Sequence, residues 1–176
     1  MFIDLVSSIP TVIDIITPSF NSTSFLEYRG LFSSTLTSTI SLVFNPAAPH
    51  ALLLYYGNVT NNRDFISLSL VDQRVEFRYD LGSGPAILTS EPITLDLWHT
   101  VYATRVGTRG TLAVDGGTAV SRQSTGTTTQ LNVNGGLFLG GVRDYSTVSS
   151  MAGSEVGFIG CIDTLQVSIY PFSLYW

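Results

Sequence analysis

The sequence predicts an all-β fold, a sandwich or barrel, and three observations support this. Short runs rich in Val, Ile and aromatic residues are followed by turn residues about every 8–12 positions, a spacing typical of such folds. No run shows the period of an amphipathic helix. Gly, Ser and Thr are frequent, with 16 Gly in 176 residues, which fits a chain with many turns.

Each strand-like run is bounded by turn residues, and the polar 121–129 segment reads as a flexible loop. The length fits one domain, which we expect at 20–170, with a flank at 1–19 and a short apolar tail at 171–176. We expect strands at 24–28, 38–45, 51–57, 64–70, 74–81, 86–89, 98–106, 111–114, 136–140 and 158–169.

The charge of the chain argues against several classes of partner. It carries 13 acidic and 8 basic residues, for a net charge of −5, and every basic residue is Arg. An acidic chain is a poor match for nucleic acid or an anionic membrane.

Residues 2–16 are apolar but are interrupted by Asp4, Pro10 and Asp14, so they predict neither a membrane span nor a signal peptide. If the protein is secreted, we expect that its targeting signal lies outside this chain or has been lost.

One hairpin can be registered from the sequence alone. If Asp72 and Gln73 form a two-residue turn, apolar residues face apolar residues on one side and polar residues face polar ones on the other. A slip of one position would oppose apolar to polar throughout. The predicted core pairs are Leu70 with Val75, Leu68 with Phe77, and Ile66 with Tyr79.

The same register places Asp64 opposite Leu81 at the open end of the hairpin, beside the turn at 82–84. A side-chain carboxylate and a backbone carbonyl then lie close together where loops meet the rim of a sandwich. Both are oxygen ligands of the kind that a hard cation prefers.

Six recognisable segments follow one another along the chain. They are, in order, DFISLSL (64–70), RVEFRYDLGSGPA (74–86), LWHTV (97–101), GTLAVDGG (110–117), LFLGG (137–141) and FIGCI (158–162). This series resembles the laminin G-like family, also called the laminin–neurexin–sex-hormone-globulin domain. The resemblance covers roughly residues 24–169 and is closest to the modules of agrin, perlecan and pikachurin. It implies a jelly-roll β-sandwich of two curved antiparallel sheets.

The resemblance also implies a calcium ion at one rim. Its ligands would be the side chains of Asp64 and Asn132 and the backbone carbonyls of Leu81 and Gln130. Asn132 stands eight residues before the first glycine of LFLGG, where the family has Asn or Asp. One carboxylate and one amide are a weak charge count, so we expect a dissociation constant on the order of 10⁻⁴–10⁻³ M.

Other candidate sites are less specific. Arg105, Arg109 and Arg122 could form a patch for an anionic glycan, although such arginines are usually solvated surface. Asn21 and Asn58 begin N-glycosylation sequons, and Asn58 falls in a predicted surface turn.

The positions of Trp98 and Cys161 in the sequence lead to two further expectations. Trp98 is expected in the core. Cys161 stands where the family has a cysteine paired with a later one; no second cysteine follows, so a free thiol is expected.

The pattern favours a binding protein over an enzyme. Two His, one Cys and no recognisable catalytic motif leave little for catalysis. We therefore expect an extracellular adhesion module, calcium-assisted, that recognises a matrix or cell-surface glycan or protein, by analogy a dystroglycan-type glycan or a matrix receptor. The alternatives are a calcium-independent interaction module and a lectin-like jelly roll for neutral sugars.

Overall fold

The hairpin around Asp72 and Gln73 has the register that its alternating residues predict. In the computed structural model, which describes residues 17–29, 33–58, 64–169 and 172–175, Leu68 lies opposite Phe77 and Asp64 opposite Leu81. Asp72 and Gln73 have φ of 50° and 61°. This left-handed pair matches the right-handed twist of the flanking strands, which explains the tight two-residue turn.

Strands account for most of the described chain, with one 3-10 helix at Tyr145–Thr147. The strands are β1 Ser19–Asn21, β2 Leu26–Tyr28, β3 Ser33–Thr35, β4 Thr37–Pro46, β5 Ala51–Gly57, β6 Asp64–Val71, β7 Arg74–Leu81, β8 Ala86–Pro92, β9 His99–Val106, β10 Arg109–Val114, β11 Val120–Gln123, β12 Leu131–Val133, β13 Leu137–Leu139, β14 Ile159–Ile169 and β15 Phe172–Tyr175.

The strands form two large antiparallel sheets, in agreement with the expected sandwich. Sheet A has the order β1-β14-β4-β9-β10-β11, and β15 also pairs with β14. Sheet B has the order β2-β13-β5-β6-β7-β8. A small third sheet joins β3 to β12. Some strands that are distant in sequence, such as β4 and β9 or β13 and β5, are neighbours in these sheets, so the rims collect loops from several regions of the sequence.

The core lies between the two large sheets. Leu42 of β4 and Val101 of β9 face Leu68 and Phe77 of sheet B, and all four are fully buried members of one apolar cluster. Alternation along each strand sends every second side chain inward. Burial of each such side chain contributes about 1.5–3 kcal/mol, so this layer fixes the sheets that position the rim.

The outer face of sheet B is covered by the chain between β13 and β14. The hydroxyls of Ser67 and Ser69 both donate to the carbonyl of Ala152 at 2.8 Å. The N–H of Ser149 donates to the hydroxyl of Tyr55 at 3.2 Å. The polar face predicted for the hairpin is therefore buried. The second apolar cluster that results contains Leu52, Tyr55, Phe65, Val142, Val148 and Ala152.

The structure corrects the expectation that Trp98 belongs to the core. Trp98 is 49% exposed, because β9 begins one residue later and His99 points inward instead. The ring of His99 lies 2.6 Å from Asp115 Oδ2 through Nδ1 and 2.7 Å from the carbonyl of Thr94 through Nε2. Each ring nitrogen therefore has an oxygen atom within hydrogen-bond distance.

The domain boundaries also differ from those expected. Residues 172–175 were assigned to a tail, but they form β15 and pair with β14 from Gln166 to Ile169. Their backbone continues the hydrogen-bonded ladder of sheet A. Ser19 was assigned to the flank but begins β1, which pairs with β14 at Cys161. The remaining flank, 1–16, lies outside the described residues.

Candidate cation site at the sandwich rim

Asp64 and Asn132 meet at one rim although they lie 68 positions apart. The backbone N–H of Asn132 donates to Asp64 Oδ2 at 2.8 Å. Asp64 opens β6, and Asn132 is the middle residue of β12. Asp64 is nearly buried, whereas the Asn132 side chain is exposed at the rim. The structure thus brings the two predicted side-chain ligands together.

Leu81 completes the side of the site formed by the hairpin. It pairs with Asp64 in the β6–β7 ladder, as the hairpin register predicts. The turn that follows is stiffened by Asp80, whose Oδ1 accepts the N–H of Gly82 at 2.7 Å and that of Gly84 at 3.0 Å. Both glycines have positive φ, 94° and 104°, which suits residues without a Cβ. Leu81 therefore lies opposite Asp64 at the start of an ordered turn, and its carbonyl stays a predicted ligand.

Gln130, the fourth predicted ligand, is exposed and lies one residue before β12. Its neighbours are fixed on both sides. The carbonyl of Thr129 accepts a bond from Arg105 Nη1 at 3.0 Å, and Leu131 pairs with Thr35 of β3. These contacts fix the chain on both sides of Gln130, whose carbonyl stays a predicted ligand.

Asn58 joins the same rim, a role that the sequence reading missed. Its Nδ2 donates to the carbonyl of Asn132 at 2.8 Å, and its Oδ1 accepts the N–H of Asn134 at 2.9 Å. It is only 8% exposed. Glycans attach to Nδ2, so the geometry does not fit the glycan expected there; Thr60 of that sequon lies outside the described residues. The polar Asn-x-Thr motif gave no signal of burial.

Burial and neighbouring groups shift the ionisation of Asp64. Burial raises the pKa of its carboxyl above the ordinary value, the Asn132 N–H opposes this, and the nearby Asp80 carboxylate raises the pKa further. The positive charge of Arg105 lowers it again. A cation held at this rim would relieve the repulsion between the two acids.

The donor set fits calcium in kind, because every candidate ligand is a carboxylate, amide or carbonyl oxygen. Within the described ranges no group of three or more His, Cys, Asp or Glu side chains comes together. Soft or transition metals would need such a group. The oxygen donors at the rim are of the kind that a hard cation prefers, and calcium binding there stays a prediction.

The predicted arginine patch is not formed. Arg105 is fully buried, because it shares the inward face of β9 with Val101 and Ala103. Arg109 and Arg122 are exposed, but they sit one position out of register on paired strands and so project to opposite faces. The expectation of one surface patch is corrected on both counts.

Asn21 and Cys161 lie away from this rim, on the neighbouring strands β1 and β14. Asn21 is exposed. Its Oδ1 accepts hydrogen bonds from the backbone N–H of Thr23 at 3.2 Å and from the hydroxyl of Thr23 at 3.0 Å. Cys161 is half-buried with a free thiol.

Comparison with known proteins assigns this arrangement to a family. The family model for the laminin G domain matches residues 44–169. The mouse basement membrane-specific heparan sulfate proteoglycan core protein is 36% identical over 89% of this chain. Human pikachurin is 35% identical over 86% of it. The chain spans only 4% of the first relative and 15% of the second.

Solved structures agree on the fold. The LG4-5 domains of the mouse laminin alpha1 chain align over 92% of this chain and 45% of that chain, with a TM-score of 0.80 at 24% identity. The LG1-3 region of the laminin alpha2 chain covers 88% of this chain and 32% of that chain, with a TM-score of 0.69. In the part of the chain that the structure describes, no helix is long and apolar enough to cross a bilayer.

The fold and the family model thus define a jelly-roll module of the kind found in extracellular matrix proteins. The chain belongs to the laminin G domain family.

Proposed function

We propose that this chain is a non-catalytic extracellular binding module whose rim at Asp64 holds calcium against an acidic partner. The observation that carries the proposal is the bond between Asn132 and Asp64, which joins β12 to the β6–β7 hairpin. Asp64 and Asn132, two of the proposed ligands, are thereby neighbours at this rim. Relatives in basement membrane proteins support an extracellular setting.

Calcium bound here would supply the positive charge that an acidic partner needs. The Asp64 carboxylate, the Asn132 side chain and the carbonyls of Leu81 and Gln130 would hold it. Asn58 orients β12 from behind by bonding its backbone on both sides of Val133. With one carboxylate at the centre, the dissociation constant is expected on the order of 10⁻⁴–10⁻³ M.

The partner class follows from charge. A chain of net charge −5 repels acidic sugars and carboxylates unless a local cation attracts them. The two arginines left exposed at β10 and β11 do not form a patch that could do this. Calcium at the rim would provide the attraction, which favours an acidic glycan chain, of the dystroglycan type, or a carboxylate-bearing matrix receptor.

A calcium-independent interaction module is the second candidate, and one observation favours it. Asp64 already accepts a hydrogen bond from Asn132, and Asn58 bonds the same strand twice. The rim is thus a closed hydrogen-bonded unit that a protein partner could contact directly.

A calcium titration followed by backbone amide chemical shifts distinguishes the two candidates. We expect the amides of Asp64 and Asn132 to shift and saturate in the native protein but not in Asp64→Asn. Glu91→Gln is the matched control, because the Glu91 side chain is 96% exposed near the opposite end of the hairpin. Equal calcium binding by native protein and Asp64→Asn would exclude the proposed ligand set.

A glycan and receptor screen with and without chelator then tests the partner. The proposal expects hits among acidic sugars that chelator abolishes. Hits on a protein receptor that persist in chelator would favour the second candidate. Hits confined to neutral sugars would instead indicate a lectin-like module.

A further inference from the structure

Arg105 is the largest fully buried side chain among the described residues, and it lies directly behind the rim. Its position in β9 pairs it with Ser38 of β4 and Gly110 of β10, all within sheet A. A buried guanidinium is costly unless its donors are matched to acceptors. The hydrogen-bond partners of Arg105 therefore indicate which segments its guanidinium holds in place.

The guanidinium donates to three different segments of the chain. Nη1 donates to the carbonyls of Gly107 at 2.9 Å and Thr129 at 3.0 Å. Nη2 donates to the carbonyl of Thr35 at 2.9 Å, to its hydroxyl at 3.1 Å and to the hydroxyl of Ser38 at 3.2 Å. Arg105 thus ties the β9–β10 turn and the strands β3 and β4 to the chain that leads into β12.

These contacts flank the candidate ligands. Thr129 immediately precedes Gln130, and Thr35 pairs with Leu131 in the β3–β12 ladder. The next pair in that ladder contains Asn132. The planar fork of arginine reaches both anchors at once, from two nitrogens set at a fixed angle. A lysine ammonium is a point donor on a flexible stem and would not match both.

We propose that Arg105 is a positioning residue of the cation site, which holds the 129–132 segment so that Gln130 and Asn132 face Asp64. The inference rests on the cation site proposed above. Arg105 itself stays behind the site, since it forms no ion pair with Asp64 among the described contacts. Its role is to order the loop before any ion binds.

The charge of Arg105 taken alone would weaken calcium binding, whereas its proposed positioning role would strengthen calcium binding. A fixed positive charge near Asp64 repels calcium, so its removal would tighten binding if charge dominated. If positioning dominates, loss of the fork weakens binding even when the charge is kept. Arg105→Lys and Arg105→Met separate the two effects.

Hydrogen exchange of the Asn132 amide without metal provides the first readout. Because this N–H donates to Asp64, it reports directly whether the segment is held in place. We expect exchange at least about tenfold faster in Arg105→Lys and Arg105→Met, corresponding to about 1.4 kcal/mol or more of lost protection. Arg74→Lys is the control, because Arg74 also donates to a carbonyl, that of Ser90 at 2.8 Å, but at the opposite rim.

Calcium affinity of the same variants provides the second readout. We expect both Arg105 variants to bind at least about tenfold more weakly than the native protein. If either fails to fold, the double variant Thr35→Val, Ser38→Ala removes two acceptors of Nη2, and we expect exchange about threefold faster at Asn132.

Unchanged exchange at Asn132 in every variant that folds would overturn the inference, as would tighter calcium binding by Arg105→Met. The two proposals fail separately: absence of calcium binding by the native protein defeats the cation site, whereas the exchange data without metal judge Arg105 alone.

Discussion

The backbone N–H of Asn132 lies 2.8 Å from Asp64 Oδ2, so the first residue of β6 holds the middle of β12 in place. The carboxylate therefore has a structural role that does not depend on any ion. Substitutions that keep or remove the acceptor separate this role from the charge.

We expect Asp64→Ala to lower the free energy of unfolding by about 1–3 kcal/mol, because the part-buried hydrogen bond from the Asn132 N–H to a charged acceptor is lost. Asp64→Asn retains a side-chain oxygen and removes a charge that burial and Asp80 disfavour, so its effect should be under about 1 kcal/mol. Urea unfolding monitored by tryptophan fluorescence measures both. Equal destabilisation by the two variants would contradict the structural role of this bond.

The two sequons are expected to behave differently in secretory cells. The carboxamide of Asn21 is exposed, whereas Nδ2 of Asn58 is buried in its bond to Asn132. We expect secreted protein to lose one glycan mass on enzymatic deglycosylation. Asn21→Gln should remove that mass shift, and Asn58→Gln should leave it unchanged in whatever protein is secreted. A glycopeptide containing Asn58 in folded, secreted protein would contradict the described rim.

Gly160 and Gly116 form a matched pair for backbone crowding. Both have positive φ, 142° and 68°, but a Cβ on Gly160 would collide with the carbonyl oxygen of Asn45, whereas none of the described atoms lies within 4 Å of one on Gly116. We expect Gly160→Ala to destabilise by about 3 kcal/mol or more and Gly116→Ala by about 1–2 kcal/mol. Thermal unfolding of the two variants tests this. Similar melting temperatures would show that β4 and β14 can separate at low cost.

The ion cluster of Glu27 predicts a pH dependence of stability. The side-chain bond from Arg29, at 2.9 Å, lowers the pKa of Glu27, burial opposes this, and Arg143 at 3.3 Å lowers it further. Because the folded pKa lies below the unfolded one, the stabilisation is present above the ordinary pKa of 4.5 and is lost as the pH falls through the lowered value.

Glu27→Gln should therefore be less stable than the native protein at neutral pH by at most about 1 kcal/mol, since both arginines are largely exposed. The difference should shrink in acid, as measured by urea unfolding across pH. A difference that is constant with pH would show that packing, and not ionisation, explains the effect.

The hairpin and its rim residues could be predicted because their information is local. Leu68 and Phe77 alternate with polar neighbours around a two-residue turn, so one register satisfies both faces. Asp64 and Leu81 follow from that register by counting. The family resemblance supplied Asn132, whose distance from Asp64 in sequence is too large for counting.

The rest depended on tertiary contacts. Strands β3 and β12 have three residues each, too few to show alternation. Long-range contacts hold them, because Arg105 donates to Thr35 at the end of β3 and Asn58 donates to Asn132 in the middle of β12. The sequence did indicate that Arg105 is buried. Arg105 lies on the same face of β9 as Val101 and Ala103, so the alternation along the strand predicts an inward side chain, but its charge led us to expect a surface position.

The segment that covers sheet B makes the outer faces of the two large sheets different. Because the chain between β13 and β14 lies across that sheet, its strands are shielded from neighbouring molecules by the domain's own segment. Among the described residues, sheet A has exposed side chains on its outer side, with Tyr102 50% and Val106 64% exposed. A neighbouring molecule that packs against this domain would therefore contact exposed strand residues on the sheet A side, and the segment between β13 and β14 on the sheet B side.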